Sequence, residues 1–254
     1  MRCCRAVLLF AALVSCISVA DDRLTIAVAS NFLATAEEIA AVFTADTGTP
    51  VRLSSGSTGK LYAQIINGAP YDIFLAADTA RPRLLEERGI ATPGSLITYA
   101  EGRLVLVSAD PDLRGRNCLW ALQSGSYRKL AIANPETAPY GAAAKAYLQT
   151  AGLWDDTKSR LVMGENILQT LQFVATGNAT LGLVAASQLA SPGNPVDLVC
   201  RWAIDVPEAK AIRQGGVVLR RSDKQEAAQS FMNFMQGAKA RKLMLQRGYE
   251  VSAN

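Results

Sequence analysis

Four short stretches of the 254-residue chain gather hydroxyl and amide donors where a strand gives way to a helix. They are Ser30-Asn31, Ser57-Thr58, Pro139-Tyr140-Gly141 and Glu165-Asn166-Ile167. In the second, Val51-Arg52-Leu53 leads into Ser54-Ser55-Gly56-Ser57-Thr58-Gly59, followed by Leu61-Tyr62-Ala63-Gln64-Ile65. A helix that starts on such a loop presents unpaired N–H groups and a partial positive charge beside the hydroxyls, which is a seat for an anion. Taken singly, serine or asparagine before a helix usually only caps it, and Ser30 or Asn31 is the natural cap of the first helix. Four such ends, two in each half of the chain, instead fit two lobes closing on one ligand. Ligands of parallel α/β sheets bind beyond the carboxyl ends of the strands, where helix starts gather.

The donors are neutral. Lys60 is the one basic residue close to these ends. Phosphate favours a fixed cation, above all Arg, because its protonation and bidentate pairing suit one. A fully ionised tetrahedral dianion needs only donors, since every contact runs from donor to acceptor. Each charge-assisted hydrogen bond contributes about 1.5–3 kcal/mol, so six or seven can outweigh the desolvation of a dianion.

Catalysis has less support. The sequence contains no histidine, which removes the Ser-His-Asp and Cys-His nucleophile sets and the commonest transition-metal ligand. Asp72 and Asp78 are the carboxylates a hydrolase would use, but they read as caps or contacts between lobes. No GxxxxGK[ST] pattern occurs, so residues 141–144 are helix packing and not a phosphate loop.

Half of the residues are apolar and 19% are charged, an ordinary globular composition with a sizeable core. The formal charge of +4 is spread along the chain, which argues against a nucleic-acid footprint. Residues 1–20 read as a secretory signal peptide: Arg2 and Arg5, an unbroken apolar run at 6–14, and Ser18-Val19-Ala20 before Asp21-Asp22. Leu13-Val14-Ser15-Cys16 is the competing signal, a lipobox that would make Cys16 a lipidated first residue. Soluble export is the preferred reading, because the apolar run is short for cleavage before Cys16. A sensor domain of a regulator would need a helix-turn-helix where this leader stands. Cleavage leaves Cys118 and Cys200, which can pair or stay as two buried thiols.

The elements that position the four loops alternate strand and helix. Leu24–Ala29 is a strand, and Phe32, Ala36, Ile39 and Phe43 mark an amphipathic helix that Gly48 ends. Strands follow at 50–53 and 72–76, with helices to about 68 and over 81–88. Residues 90–101 form a turn-rich break, and a strand at 103–107 crosses into a second lobe. There, strands at Leu130–Ala133, 161–163 and 181–184 alternate with helices at 141–148 and 165–175, and 191–195 is a loop. A return strand at 217–220, a capping-box pattern at Ser222 and Gln225, and helices to 246 complete the chain. The expected fold is α/β, with two lobes that are each a mainly parallel sheet flanked by helices and a ligand cleft between them. Residues 21–101 with 218–254 make lobe I, and 102–217 make lobe II.

Several motifs occur in register with one family. Val28-Ala29-Ser30-Asn31-Phe32, Ser55-Gly56-Ser57-Thr58-Gly59, Asn67-Gly68-Ala69-Pro70-Tyr71-Asp72, Ala76-Ala77-Asp78, Ala138-Pro139-Tyr140-Gly141 and Gly164-Glu165-Asn166 resemble the periplasmic molybdate-binding protein of an ABC transporter. The resemblance covers nearly the whole mature chain, closing with Arg247-Gly248-Tyr249. It implies a type II periplasmic-binding fold in a monomer that captures molybdate, usually tungstate too, for a membrane permease, with no cofactor and no reaction. It also implies the site: Ser30 with Asn31, Ser57 and Thr58, Tyr140, and the amide of Ile167 where the family usually has valine. Residue type leaves open whether Ser57 or Thr58 makes the closer contact. Some members add a tyrosine after the 181–184 strand; Ala185 stands there and supplies no phenol.

Overall fold

The computed structural model describes residues 22–251 apart from 192, 193, 195 and 206–210. The expected leader at 1–20, the lipidation alternative at Cys16 and most of the expected loop at 191–195 lie outside the described residues. In chain order the strands are Leu24–Ala29 (β1), Val51–Gly56 (β2), Ile73–Leu75 (β3), Ile97–Gly102 (β4), Leu104–Ser108 (β5), Leu130–Ala133 (β6), Leu161–Gly164 (β7), Leu181–Ala185 (β8), Cys200–Ala203 (β9) and Ile212–Val218 (β10).

They form two five-stranded sheets of matching order, β2-β1-β3-β10-β4 and β7-β6-β8-β5-β9. Both sheets are mixed. β10 runs antiparallel to β3 and β4, and β5 runs antiparallel to β8 and β9, while the other pairs are parallel. The chain passes between the sheets at Arg103 and again between Ala203 and Ile212. β1, β5 and β8 are buried at every residue, as strands covered on both faces must be.

Two expectations fail at the crossings. β10 begins at Ile212, not at 217, so residues 212–217, read as part of lobe II, belong to the first sheet. Gln214-Gly215-Gly216 interrupts the apolar run that marks a buried strand, and the register shifts between Gln214 and Gly215. The break expected at 90–101 contains most of β4, whose sequence Ile-Thr-Tyr-Ala-Glu-Gly suits a partly exposed edge strand rather than an apolar run.

Helices cover both faces of each sheet. Leu33–Thr47 buries Ala36, Ile39 and Phe43, with Phe43 edge-on to Phe231 and Phe234. Gly48 ends this helix in the left-handed conformation, φ 76°, as expected. Thr58–Ile66 and Ala80–Glu87 pack Leu61, Ile65 and Leu85 against the other face. In the second sheet Pro139–Thr150 contributes Ala144 and Leu148 to one face, and Ile167–Ala175 contributes Leu171 and Val174 to the other. Cys118, at the start of helix Cys118–Ser124, forms a disulfide with Cys200 of edge strand β9. The Ser222–Gln225 capping box does not form. Ser222 Oγ donates to Asp72 at 2.6 Å and accepts from the Lys224 N–H, and the Gln225 amide donates to the carbonyls of Leu219 and Ser222.

Candidate anion-binding site

Strand register sets the first half of the site. Ala29 pairs with Gly56, so the chain leaves β1 and β2 at one level and brings Ser30 beside Ser57. The Ser30 N–H donates to the Gly56 carbonyl at 3.0 Å. Ser57 holds the N-cap position of helix Thr58–Ile66 but makes no side-chain capping bond. It is 3% exposed, and its Oγ has no hydrogen-bond partner among the described residues. Tyr127 and Thr137 also carry such an oxygen, but neither lines the cavity described below. A buried hydroxyl left unpaired costs about 1–3 kcal/mol. Thr58 differs, since its Oγ1 accepts from the Ala77 N–H at 3.0 Å and ties the end of β3 to the loop.

Two helix starts supply the other half. Pro139 opens helix Pro139–Thr150, where a missing N–H costs nothing, and Tyr140 follows. A Cβ on Gly141 would come within 2.2 Å of the Ala133 carbonyl oxygen, so this helix start lies directly on the end of β6. Ile167 is the first residue of helix Ile167–Ala175, and Asn166 caps it. The cap Oδ1 accepts from the N–H groups of Leu168 and Gln169, both at 3.0 Å. The cap therefore serves the second and third amides, and the Ile167 N–H has no intrahelical acceptor.

All six sequence-predicted residues, Ser30, Asn31, Ser57, Thr58, Tyr140 and Ile167, line one cavity, completed by Ala29, Gly56, Ala77, Ala138 and Pro139. None of these side chains is charged. The cavity's free volume of about 10 Å³ is on the scale of one water molecule. The walls meet across the two sheets. The Gly59 N–H donates to the Thr137 carbonyl at 2.8 Å, and Lys60 pairs with Glu165 at 2.6 Å on the surface beside it.

Asn31 is not a cap. Phe32 holds the N-cap position of the first helix without a side-chain bond, and Ser30 caps nothing either. The Asn31 amide donates instead to Gln214 Oε1 at 2.9 Å and to the Tyr249 hydroxyl at 3.2 Å. Tyr249 donates in turn to the Asn31 carbonyl at 2.8 Å. The Tyr99 hydroxyl shares its one proton between the Ala76 carbonyl at 3.0 Å and Gln214 Oε1 at 3.1 Å, and Gln214 donates to the Tyr140 hydroxyl at 3.3 Å. Burial pushes the Tyr99, Tyr140 and Tyr249 hydroxyls above the ordinary tyrosine value; neighbouring phenols add to the rise at Tyr99 and Tyr140, and hydrogen bonds partly offset it at Tyr249. All three therefore keep their protons at neutral pH.

Sequence reasoning missed Tyr99 and Gln214. The available signal was a polar Gln214 in a stretch otherwise able to form a buried strand. Asp72 and Asp78 play the bland role. Asp72 accepts from the Thr25 N–H and Ser222, and Asp78 accepts from the backbone and side chain of Arg81. Both sets of contacts lie within the first sheet and its helices, so neither residue bridges the two halves.

A family profile for bacterial extracellular solute-binding proteins matches residues 24–250. The chain is 44% identical over 246 residues to the molybdate-binding protein ModA of Azotobacter vinelandii, covering 96% of this chain and 95% of that one. It is 39% identical to the molybdate-binding protein ModA of Rhodobacter capsulatus, over 88% of this chain and 86% of that one. The solved structure of the Azotobacter vinelandii periplasmic molybdate-binding protein superposes with a TM-score of 0.84 at 38% identity, covering 91% of this chain and all of that one. Profile, relatives and fold agree: the chain belongs to the bacterial extracellular solute-binding proteins, in the group of their molybdate-binding members.

Proposed function

We propose that this protein captures molybdate, and tungstate with it, outside the cytoplasm and delivers the anion to the permease of an ABC transporter. It performs no chemistry on the ion and uses no cofactor. The observation that carries the reading is Ser57 Oγ, buried and unpartnered in an uncharged cavity onto which four helix starts converge.

The chemistry is recognition by donors alone. Ser30 and Ser57 offer hydroxyls, Tyr140 a protonated phenol, and Thr58, Tyr140 and Ile167 first-turn amides, all to oxygens of the ion and none to its metal. Asn31 contributes through its backbone, since its side chain is held by Gln214 and Tyr249. Ser57 is favoured over Thr58 as the closer hydroxyl, because Thr58 Oγ1 already bonds Ala77. Thr58 keeps its own proton to give.

The site fits a closed state of two lobes, 22–102 with 212–251 and 103–205, which open about the two crossings to admit and release the ion. Export by the leader at 1–20 places the mature chain in the periplasm as a monomer. Lipidation at Cys16 is the alternative anchorage. No helix among the described residues is long and apolar enough to cross a membrane.

Calorimetric titration of the mature protein with molybdate, tungstate and sulfate tests the reading. The expected result is saturable binding of the first two at one site. Heat and a thermal shift with some other anion, and neither with molybdate, would overturn it.

A further inference from the structure

We propose that Gln214, which is not among the residues lining the cavity, is a positioning residue that sets the donor direction of Tyr140 toward the anion. The inference rests on the oxyanion reading above and deepens it.

Gln214 is fully buried in β10. It joins groups from both halves of the molecule: its oxygen accepts from Asn31 and shares the single Tyr99 proton with the Ala76 carbonyl, and its NH2 donates to Tyr140. The directions follow from the Tyr249 end of the network. Tyr249 gives its single proton to the Asn31 carbonyl, so toward the Asn31 side chain it can only accept, and the Asn31 NH2 must face it. That NH2 also faces Gln214, which must present its oxygen there and its own NH2 to Tyr140. The Gln214 amide thus occupies a lone pair of the Tyr140 oxygen. The phenol proton is left to donate elsewhere, and Tyr140 lines the cavity.

Gly102 makes this meeting possible. A Cβ there would lie 1.9 Å from the Tyr140 hydroxyl and 2.8 Å from Gln214 Nε2. Gly102 is the last residue of β4, beside the crossing at Arg103, so the phenol from the second half and the amide from the first meet in the space its missing side chain leaves.

An amide at 214 has one donor end and one acceptor end, whereas a carboxylate only accepts. Gln214→Glu would take the Tyr140 proton away from the ligand and place a negative charge behind a dianion. The titratable groups facing position 214 are Tyr99, Tyr140 and Tyr249, all protonated at neutral pH, with Asp78 acting on Tyr99. Arg213 and Glu101 pair with each other at the exposed edge of β10 and β4.

The test uses the mature protein, molybdate calorimetry and melting curves. Gln214→Glu is expected to lose about 100-fold in affinity near pH 8. It should regain about 10-fold near pH 5.5, as the buried carboxyl takes up a proton and again donates to Tyr140. Wild type should change less than about 3-fold over that interval, and Gln214→Met should be weakened at both pH values with no recovery. Gly102→Ala should lose about 10-fold with the fold intact, because its Cβ displaces the phenol. Wild-type affinity in Gln214→Glu near pH 8, or an equal loss at both pH values in a folded protein, overturns the proposal. If Gln214→Glu does not fold, wild-type affinity in Gly102→Ala overturns it instead. If wild type itself gives no heat with molybdate, the oxyanion reading fails rather than the role of Gln214.

Discussion

The Gly59 amide donates to the Thr137 carbonyl at 2.8 Å, joining the helix start above the first sheet to the loop above the second. This bond joins the two halves beside the cavity, next in sequence to Thr58 and Ala138, which line it. A Cβ on Gly59 would sit 3.0 Å from both Thr137 Cα and its carbonyl oxygen, tighter than ordinary contact. Gly59→Val is therefore expected to hold the two halves apart and weaken molybdate binding by at least about 10-fold, with the melting temperature of the free protein little changed. Calorimetry paired with a circular-dichroism melt reads both quantities. Unaltered affinity would mean that closure does not need this contact.

Substitutions at Ser57 and Thr58 are expected to separate ligand binding from architecture. Ser57→Ala removes a hydroxyl that has no internal partner. It should cost about 1.5–3 kcal/mol of binding, roughly 10- to 150-fold, and leave stability equal or improved. Thr58→Val deprives the Ala77 N–H of its acceptor, so it should lower stability by about 1–3 kcal/mol whether or not ligand is present. Denaturant titration beside binding isotherms distinguishes the two, and the reverse pattern would reassign the hydroxyl contact to Thr58.

The pH dependence follows from the phenols. Tyr99, Tyr140 and Tyr249 hold their protons above the ordinary value of 10.0 in the folded chain, chiefly through burial. Their contribution to stability is fully present below that value. Above about pH 10 the unfolded chain releases these protons while the folded chain keeps them, so stability falls as pH rises. The melting temperature should accordingly drop steeply above about pH 10, and molybdate affinity should stay flat from about pH 6 to 9. A protein-side loss of affinity within that range would show that a charged group belongs to the site.

The Cys118–Cys200 disulfide spans 82 residues of sequence and pins edge strand β9 to the start of a helix. Its removal in Cys118→Ser/Cys200→Ser is expected to lower stability by about 2–4 kcal/mol, roughly 5–15 °C in melting temperature. Neither cysteine lines the cavity, so molybdate affinity at 25 °C should stay within about 3-fold of wild type. Scanning calorimetry with and without reductant checks the first expectation and a binding isotherm the second.

The sequence by itself determined the elements whose signal is local. The unbroken apolar run of β1, the spacing of Phe32, Ala36, Ile39 and Phe43, and the glycine at 48 specify strand, helix and stop through period and backbone freedom. The six residues that line the cavity together were legible for the same reason, because each sits within three positions of a helix start, where the orphan amides are. Local pattern failed where partners are distant. β4 and β10 are strands because of each other, and Gln214 is buried because Asn31, Tyr99 and Tyr140 satisfy it from three other segments. The pairing of Cys118 with Cys200 and the engagement of Thr58, not Ser57, by the Ala77 N–H were likewise tertiary decisions. Both serine and threonine can cap or donate, and only the position of Ala77 shows which oxygen is already engaged.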